Sequence, residues 1–416
     1  MSNWRNQRLG DICQVINGRA YKQSELLNEG KYKVLRVGNF FTNSSWYYSD
    51  MELPGDKYCE FKDLLFAWSA SFGPRIWKGN KTIYHYHIWK LVANEAILNK
   101  VYLYYYLSNK THSFKSSTHG SIMLHLTKSF MEDLSIIYPK DLHIQSNIAK
   151  VLSDLDSKIE LNNKINQELE AMAKLLYDYW FVQFNFPDNK GKPYKLSGGK
   201  MVYNEVLNWE IPEGWKNGEL KDIANITMGQ SPPGESYNEE GKGIIFYQGC
   251  TDFGNRFPSI RKYTTSPTRF AKQGDILLSV RAPVGTLNIA KENCCIGRGL
   301  ASLNSKDNCL AYLFGVMVNL KQIFDRRNSA GTTFGSITKD DLFSLKVVKP
   351  TSPTLKQFNK ILFPVFEKQN TIELENIKLT ALRDWLLPML MNGQVTVREA
   401  EEKLGMVAEA GEKYGA

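Results

Sequence analysis

No Cys-x-x-Cys pair occurs among the six cysteines, Cys13, Cys59, Cys250, Cys294, Cys295 and Cys309. Neither a disulfide framework nor a zinc site is therefore suggested, and six free thiols are expected. No apolar run approaches the ~20 residues needed to cross a bilayer, and the opening Met-Ser-Asn-Trp-Arg-Asn-Gln has no apolar signal core. The expectation is a cytoplasmic protein with no membrane partner. Catalytic motifs are equally scarce. Gly241-Lys242 lacks the spacing and the hydroxyl of a phosphate-binding loop. An amino-methyltransferase would need an Asn/Asp-Pro-Pro-aromatic motif; Ser231-Pro232-Pro233-Gly234 comes nearest, but glycine stands where the stacking ring belongs, so it reads as a turn. Asp56 with Glu60-x-Lys62 imitates a metal nuclease, yet a chain with 23% charged residues supplies such triplets by chance. His85 and His87 share one face of an expected strand without a third ligand, and read as satisfied polar groups. No catalytic residue, metal or cofactor is therefore assigned to this chain.

What is present is ample for globular folding: 416 residues, 43% hydrophobic and 12% aromatic. The net charge of +9 favours an anionic partner. The organising stretch runs from Gln145 to Phe186. Leu152, Leu155, Ile159, Leu169, Ala173 and Leu176 follow an alternating four-and-three spacing, which predicts one seam of a long helix. Asn162 and Asn166 interrupt that seam; asparagine there lowers stability but fixes register, so the helix looks built to lie against a particular partner helix.

A search for repeats supplies the partner. Leu9-Gly10-Asp11-Ile12 recurs as Leu220-Lys221-Asp222-Ile223, and Gly18 as Gly229, both at an offset of 211 residues. Asp63 to Ala67 matches Asp275 to Ser279, and Gly73 matches Gly285, at 212; Gly120, Thr127-Lys128, Leu134 and Pro139 match Gly331, Thr338-Lys339, Leu345 and Pro350 at 211. After the second copy a second helix is predicted, opening at Pro353 with Ser352 as cap. Its seam carries Leu362, Val365, Ile372, Leu379 and Leu386, with polar Gln369, Asn376 and Arg383. Pro364 is expected to kink or restart it, and Pro388 with Gly393 to end it.

Ahead of each helix, short runs at 32–37, 63–67, 83–91, 243–247 and 275–280 read as strands, and Asn99 to Ser108 and Ala311 to Arg327 as helices. Each globular unit is therefore α+β. The connector from Pro187 to Trp215 reads as ordered turns anchored by Tyr194, Met201, Val202, Trp209 and Trp215, whereas the tail after Gln394 carries little to bury and is expected to fray. Two similar globules, each followed by a helix, suit a pseudo-twofold arrangement if the helices pair as an antiparallel coiled coil. A helix of about 36 residues is a rod of ~50 Å. Duplex DNA presents equivalent faces every ~34–36 Å, so two unlike globules would read two halves of an asymmetric target.

These residues carry a resemblance. Pro139, Gln145-x-x-Ile148-Ala149-x-x-Leu152-x-x-Leu155-Asp156-x-x-Ile159, Trp180-Phe181 with Phe184, Phe186 and Pro187, then Gly191-Lys192-Pro193-Tyr194-Lys195-x-Ser197-Gly198-Gly199 and Ile211-Pro212-x-Gly214-Trp215 resemble the specificity (S) subunits of type I restriction-modification systems. The resemblance implies target recognition domains at 1–145 and 212–352, conserved helical regions at 146–186 and 353–393, a connector at 187–211 and a tail at 394–416. It also implies two modification (M) subunits docked on the helices, restriction (R) subunits joined through them, and partners that use S-adenosylmethionine, ATP and Mg²⁺ for adenine methylation and DNA cleavage. Leu152, Leu155, Ile159, Asn162, Asn166, Leu169, Leu176, Leu362, Ile372, Asn376, Leu379 and Leu386 are the candidates for pairing and docking.

Base reading favours Arg, Lys, Asn, Gln and Ser on elements that reach a groove. Repeat-related positions rank first: Lys115 beside Ser121 against Arg326, Arg327, Thr332 and Thr333, and Ser69 against Arg281 with Arg75 nearby. Lys22, Arg36, Asn39, Gln230, Arg256 and Arg298 follow. Two other classes stay open here, a self-contained DNA methyltransferase or nuclease and a coiled-coil adaptor that binds proteins.

Overall fold

Short runs, many buried on alternate or on both faces, pair into a similar set of sheets twice in the computed structural model, the second copy having a five-stranded sheet where the first has four strands. The structure describes residues 3–42, 45–69, 72–116, 126–329, 336–403 and 405. The chain divides into two units, Met1–Glu160 with Ile377–Ala416, and Leu161–Asn376.

In the first unit Trp4–Arg8 pairs antiparallel with Ser135–Pro139. A four-stranded sheet runs Cys13–Asn17, Ile88–Ala93, Leu64–Ala67, Gly73–Ile76, and a second runs Tyr47–Ser49, Tyr32–Leu35, Thr82–Tyr84, Tyr58–Cys59. The strand Leu64–Ala67 is buried throughout because it serves two cores. Leu64 and Phe66 pack with the helix Lys100–Ser116, and Leu65 and Ala67 pack toward the second sheet. In the second unit Lys216–Glu219 pairs with Lys346–Lys349, and the corresponding sheet runs Ala224–Met228, Leu300–Ser305, Ile276–Ser279, Leu287–Ile289. Ile276 and Leu278 face one core and Leu277 the other. Both copies contain one parallel pair, Tyr32–Leu35 with Thr82–Tyr84 and Ile244–Tyr247 with Cys294–Ile296.

The repeat register holds at the level of single hydrogen bonds. Leu9 donates to the Leu134 carbonyl at 2.9 Å and Leu220 to that of Leu345 at 2.8 Å. Asp63 accepts from the Glu60 amide at 2.8 Å and Asp275 from the Lys272 amide at 2.9 Å. Thr127 and Thr338 each cap a short helix, at 3.1 and 3.2 Å. The expected strand at 83–91 is two strands, because residues 85–87 turn the chain from one sheet into the other.

The first long helix is Leu142–Tyr177, continued by a wider turn at Asp178–Val182, and the second is Ser352–Met391. The second helix begins at Ser352 itself, one residue earlier than expected, with Thr351 accepting the Leu355 amide at 3.1 Å. It passes through Pro364 without restarting. The bond that proline removes would have gone to Lys360, and both residues are exposed. Pro388, also expected to end it, lies inside the helix, which runs on to Met391; Gly393, at φ 75°, follows that end as expected.

Neither helix forms a region apart from the globules. Ile148, Ala149, Val151, Leu152 and Leu155 join the first globular core together with Leu379, Leu386 and Leu390. Tyr177, Trp180, Phe181, Leu355, Phe358 and Leu362 join the second. The division between the two units falls inside both helices. Within the second unit Asn162 donates to Asn376 at 2.9 Å, Asn376 to Asn163 at 2.9 Å and Gln369 to the Asn166 carbonyl at 3.4 Å, which makes the pairing antiparallel. Within the first, Arg383 meets Asp156 at 2.9 Å, and Tyr105 donates to the same carboxylate at 2.7 Å.

Glu373 is an unexpected member of this seam. It is 8% exposed, and its Oε2 has no hydrogen-bond partner. Burial raises its carboxyl pKa above the ordinary value, against the opposing pull of the Asn376 hydrogen bond and the Arg256 charge. A carboxyl raised on folding contributes stability below its unfolded pKa, and that stability is lost as pH rises through the folded value. Glu373→Gln is therefore expected to raise the unfolding temperature at pH 7, with the gain shrinking to nothing below about pH 4. Unfolding scans of both proteins at the two pH values test this; a loss at pH 7 would contradict it.

The connector contains the hairpin Met201–Asn204 with Trp209–Pro212. Tyr194 and Trp215 stack on either side of Phe186, with centroids at 4.7 and 4.8 Å. Val202 and Trp209 do not anchor it, being 45% and 49% exposed. The tail also differs from expectation: Ala400 is fully buried, and Val395 and Val397 pack on the first core. Among the described residues no helix is long and apolar enough to cross a membrane, and all six cysteines are free.

Candidate nucleic-acid interface

Three loops meet at one edge of each globule, and the strands that end there position them. In the first unit they are residues 18–22, 36–39 and 85–87. Gly18 donates to the Ile88 carbonyl at 3.2 Å, Arg19 to Tyr84 at 3.1 Å, His85 to Leu35 at 2.9 Å and Trp68 to His87 at 3.1 Å. The second unit makes the same four bonds at the repeat-related residues. Gly229 donates to Leu300 at 2.9 Å, Gln230 to Ile296 at 3.0 Å, Gly297 to Tyr247 at 2.8 Å and Val280 to Gly299 at 2.9 Å. The scaffold is thus conserved between the copies while the side chains differ.

On the first face the guanidinium of Arg36 lies 5.1 Å from the Tyr47 ring centroid, and the Lys33 ammonium 5.1 Å from that of Trp46. Arg19 is held by Glu25 at 2.7 and 3.0 Å. Tyr86 and His87 have centroids 3.9 Å apart, and Trp68 lies 5.1 Å from His87. Burial, helped by the charges of His87 and Arg36, pushes the His85 pKa down to about 4, so its ring is neutral at pH 7. On the second face a cleft of about 440 Å³ is lined by Ser231, Gln248, Asp252, Arg261, Lys262 and Arg298, among others. Its acid is neutralised, since Arg261 donates to Asp252 at 2.8 Å. Directional donors and acceptors beside unpaired cations suit contact with bases and phosphates.

The candidates from sequence divide accordingly. Arg36, Gln230, Arg281 and Arg298 are exposed at or beside these loops, and Ser69 and Arg281 are equivalent, as aligned. Ser69, however, is buried, 6% exposed. Asn39 is also buried, and its amide donates to the Ser45 carbonyl at 3.0 Å while its carbonyl accepts the Arg36 amide. Arg75 donates to the Phe40 carbonyl and so holds the short helix Val37–Phe41. Arg256 turns to the second long helix instead of outward, donating to Asn370 at 2.6 Å and Gln369 at 3.0 Å beside the Phe366 ring. Burial pulls its pKa down to about 10. Lys115, Arg326 and Arg327 fall at helix ends whose side chains lie outside the described residues, and so do Ser121, Thr332 and Thr333 altogether.

Sequence reasoning missed Ser231, Gln248, Arg261 and Lys262. Arg36 was singled out, and carrying its position to the second copy would have found Gln248. Among the described residues no group of three or more His, Cys, Asp or Glu is placed to hold a metal ion.

The seam candidates are accounted for differently. Leu152, Leu155, Asn162, Leu362, Ile372, Asn376, Leu379 and Leu386 are buried, and Ile159, Asn166, Leu169 and Leu176 half-buried. Leu161, Ile165, Met172, Leu175 and Val182 are the exposed apolar residues of the first helix within the second unit.

Comparison with known proteins gives a consistent result. The family described as the type I restriction modification DNA specificity domain matches residues 1–171 and 212–381. A protein of Methanocaldococcus jannaschii, provisionally assigned as the type I restriction enzyme MjaX specificity subunit, is 29% identical over 430 residues, covering 95% of this chain and 94% of its own. The type I restriction enzyme MjaIX specificity subunit of the same organism is 29% identical over 325 residues, covering 74% of this chain and 72% of its own. The crystal structure of a type I restriction-modification S subunit from M. genitalium shares the fold at a TM-score of 0.59 and 18% identity, covering 93% of this chain and 96% of that one.

Proposed function

The chain belongs to the type I restriction-modification DNA specificity family and is a specificity subunit, and from that premise we propose that its two three-loop faces read the two halves of a bipartite, asymmetric target on double-stranded DNA. One observation carries this reading: the same four backbone bonds present different side chains in each copy, rings with Arg36 in the first and Gln248 with Arg298 in the second. A shared scaffold with unlike tips is what two unlike half-sites require.

In this proposal the paired helices set the spacer between half-sites. Two modification subunits dock on the exposed apolar residues of the helices, and restriction subunits join through them. The chain holds no catalytic centre. Its partners use S-adenosylmethionine to methylate adenine, and ATP with Mg²⁺ to cleave unmodified DNA. The test is to map methylated adenines genome-wide in cells with and without this chain, other specificity subunits absent. The expected result is one two-part motif with an unread gap, lost when the chain is lost. A continuous motif, or methylation that persists without the chain, would overturn the reading.

A further inference from the structure

We infer that Arg298 reads a guanine in the half-site taken by the second globule; the inference rests on the proposal that the three-loop face meets DNA. Arg298 stands between two glycines, and both are dictated by close approach. A Cβ on Gly297 would lie 2.7 Å from Gln248 Oε1 and 2.9 Å from its Cα, and one on Gly299 would lie 2.6 Å from the Gln248 carbonyl oxygen. The loop therefore crosses the Gln248 backbone as tightly as a chain can, and Arg298 alone among its three residues carries a side chain.

Its base is fixed from below. The Gly299 amide donates to the Gln248 carbonyl at 3.1 Å, and the Arg298 amide to the Ser231 hydroxyl at 3.4 Å. That hydroxyl lies 3.0 Å from the Gln248 carboxamide. The guanidinium itself is uncommitted: Arg298 is exposed in the cleft, and among the described residues no carboxylate lies within ion-pair range of it. Asp252, the acid of the cleft, is held by Arg261. A planar fork on a rigid mount, with its donors unclaimed, matches the paired O6 and N7 acceptors of guanine, while Lys262 on the same wall is suited to phosphate. In the first globule the equivalent residue is Tyr86, so that face has a ring where this one has a fork.

The experiment uses the full chain assembled with its modification partners, at one salt concentration, on duplexes that vary each base of the mapped half-site. At one guanine position, adenine or 7-deazaguanine is expected to weaken wild-type binding on the order of ten- to a hundred-fold. Arg298→Ala should lose the same factor and no longer distinguish the three bases there. Arg298→Lys should restore only part of the discrimination, because an ammonium can reach O6 and N7 but lacks the planar, pre-organised fork. If Arg298→Ala instead weakens every duplex equally and flattens the salt dependence by about one phosphate, the guanine assignment fails while the DNA face stands. If Arg298→Ala, Gln248→Ala and Lys262→Ala all leave binding unchanged in correctly folded protein, the DNA face fails with it.

Discussion

Phe358→Ala is expected to destabilise the second unit by about 3–5 kcal/mol. Phe358 is completely buried on the second long helix. Its ring meets that of Phe181 edge-on at 4.7 Å and that of Trp180 at 5.3 Å, both in the wide turn that ends the first long helix. Phe181 in turn packs against Tyr312 at 4.7 Å and Trp215 at 5.8 Å, so the rings around Phe358 are held from several elements at once. A cavity opened there cannot collapse easily, which places the cost at the upper end for a Phe-to-Ala change. Loss of the edge-to-face contacts is part of the same cost. Denaturant unfolding followed by tryptophan fluorescence measures it, since Trp180 and Trp215 both belong to this cluster. A shift under about 1 kcal/mol would mean that the helix ends do not depend on this junction.

The seam that these helices share was legible in the sequence except for Glu373, and the candidate reading face was not. A heptad pattern needs only spacing to be recognised, and every seam residue named from spacing is buried or half-buried. The duplication was legible for a similar reason: residues at caps and strand ends, such as Leu9 and Leu220 or Thr127 and Thr338, make the same local bonds in both copies. Direction is a different matter. Arg256, two residues after Gly254, and Arg298, between Gly297 and Gly299, both sit on loops of the second globule, yet one is drawn onto Gln369 and Asn370 and the other is left free. Ser69 and Arg281 occupy the same place in the repeat, one buried and one exposed. Which way such a side chain points is set by what packs behind the loop, and no local pattern encodes that. Pro364 makes the same point for the backbone: its cost depends on the surroundings of the carbonyl it orphans, and here both Lys360 and Pro364 are exposed.

Gly18 and Gly229, matched across the repeat by sequence alone, turn out to be what lets the three loops close, and Gly229→Ala is expected to open the second face. A glycine-to-alanine change ordinarily stabilises by about 0.4–1 kcal/mol through the unfolded chain where the backbone tolerates it. Here a Cβ would lie 2.1 Å from the Gly297 carbonyl oxygen and 2.8 Å from those of Ile296 and Leu300. All three are backbone atoms, so no rotamer change relieves the overlap, and Ile296 and Leu300 accept two of the four bonds that fix the loops. The overlap reverses the sign, to a loss of about 1–3 kcal/mol in the stability of the second unit. Binding should suffer more than folding, because displacing residues 297–299 moves Arg298 off its mount. Cognate affinity is expected to fall by at least tenfold, with recognition degraded only in the half-site read by the second globule. Gly18→Ala, whose Cβ would meet the His85 and Tyr84 carbonyls at 2.4 and 2.5 Å, should degrade the other half-site. Gly234→Ala, with nothing within 4 Å of its Cβ, serves as the control. Binding and unfolding measured on all three separate the outcomes: if Gly229→Ala behaves like Gly234→Ala, close packing of these loops has no part in reading DNA.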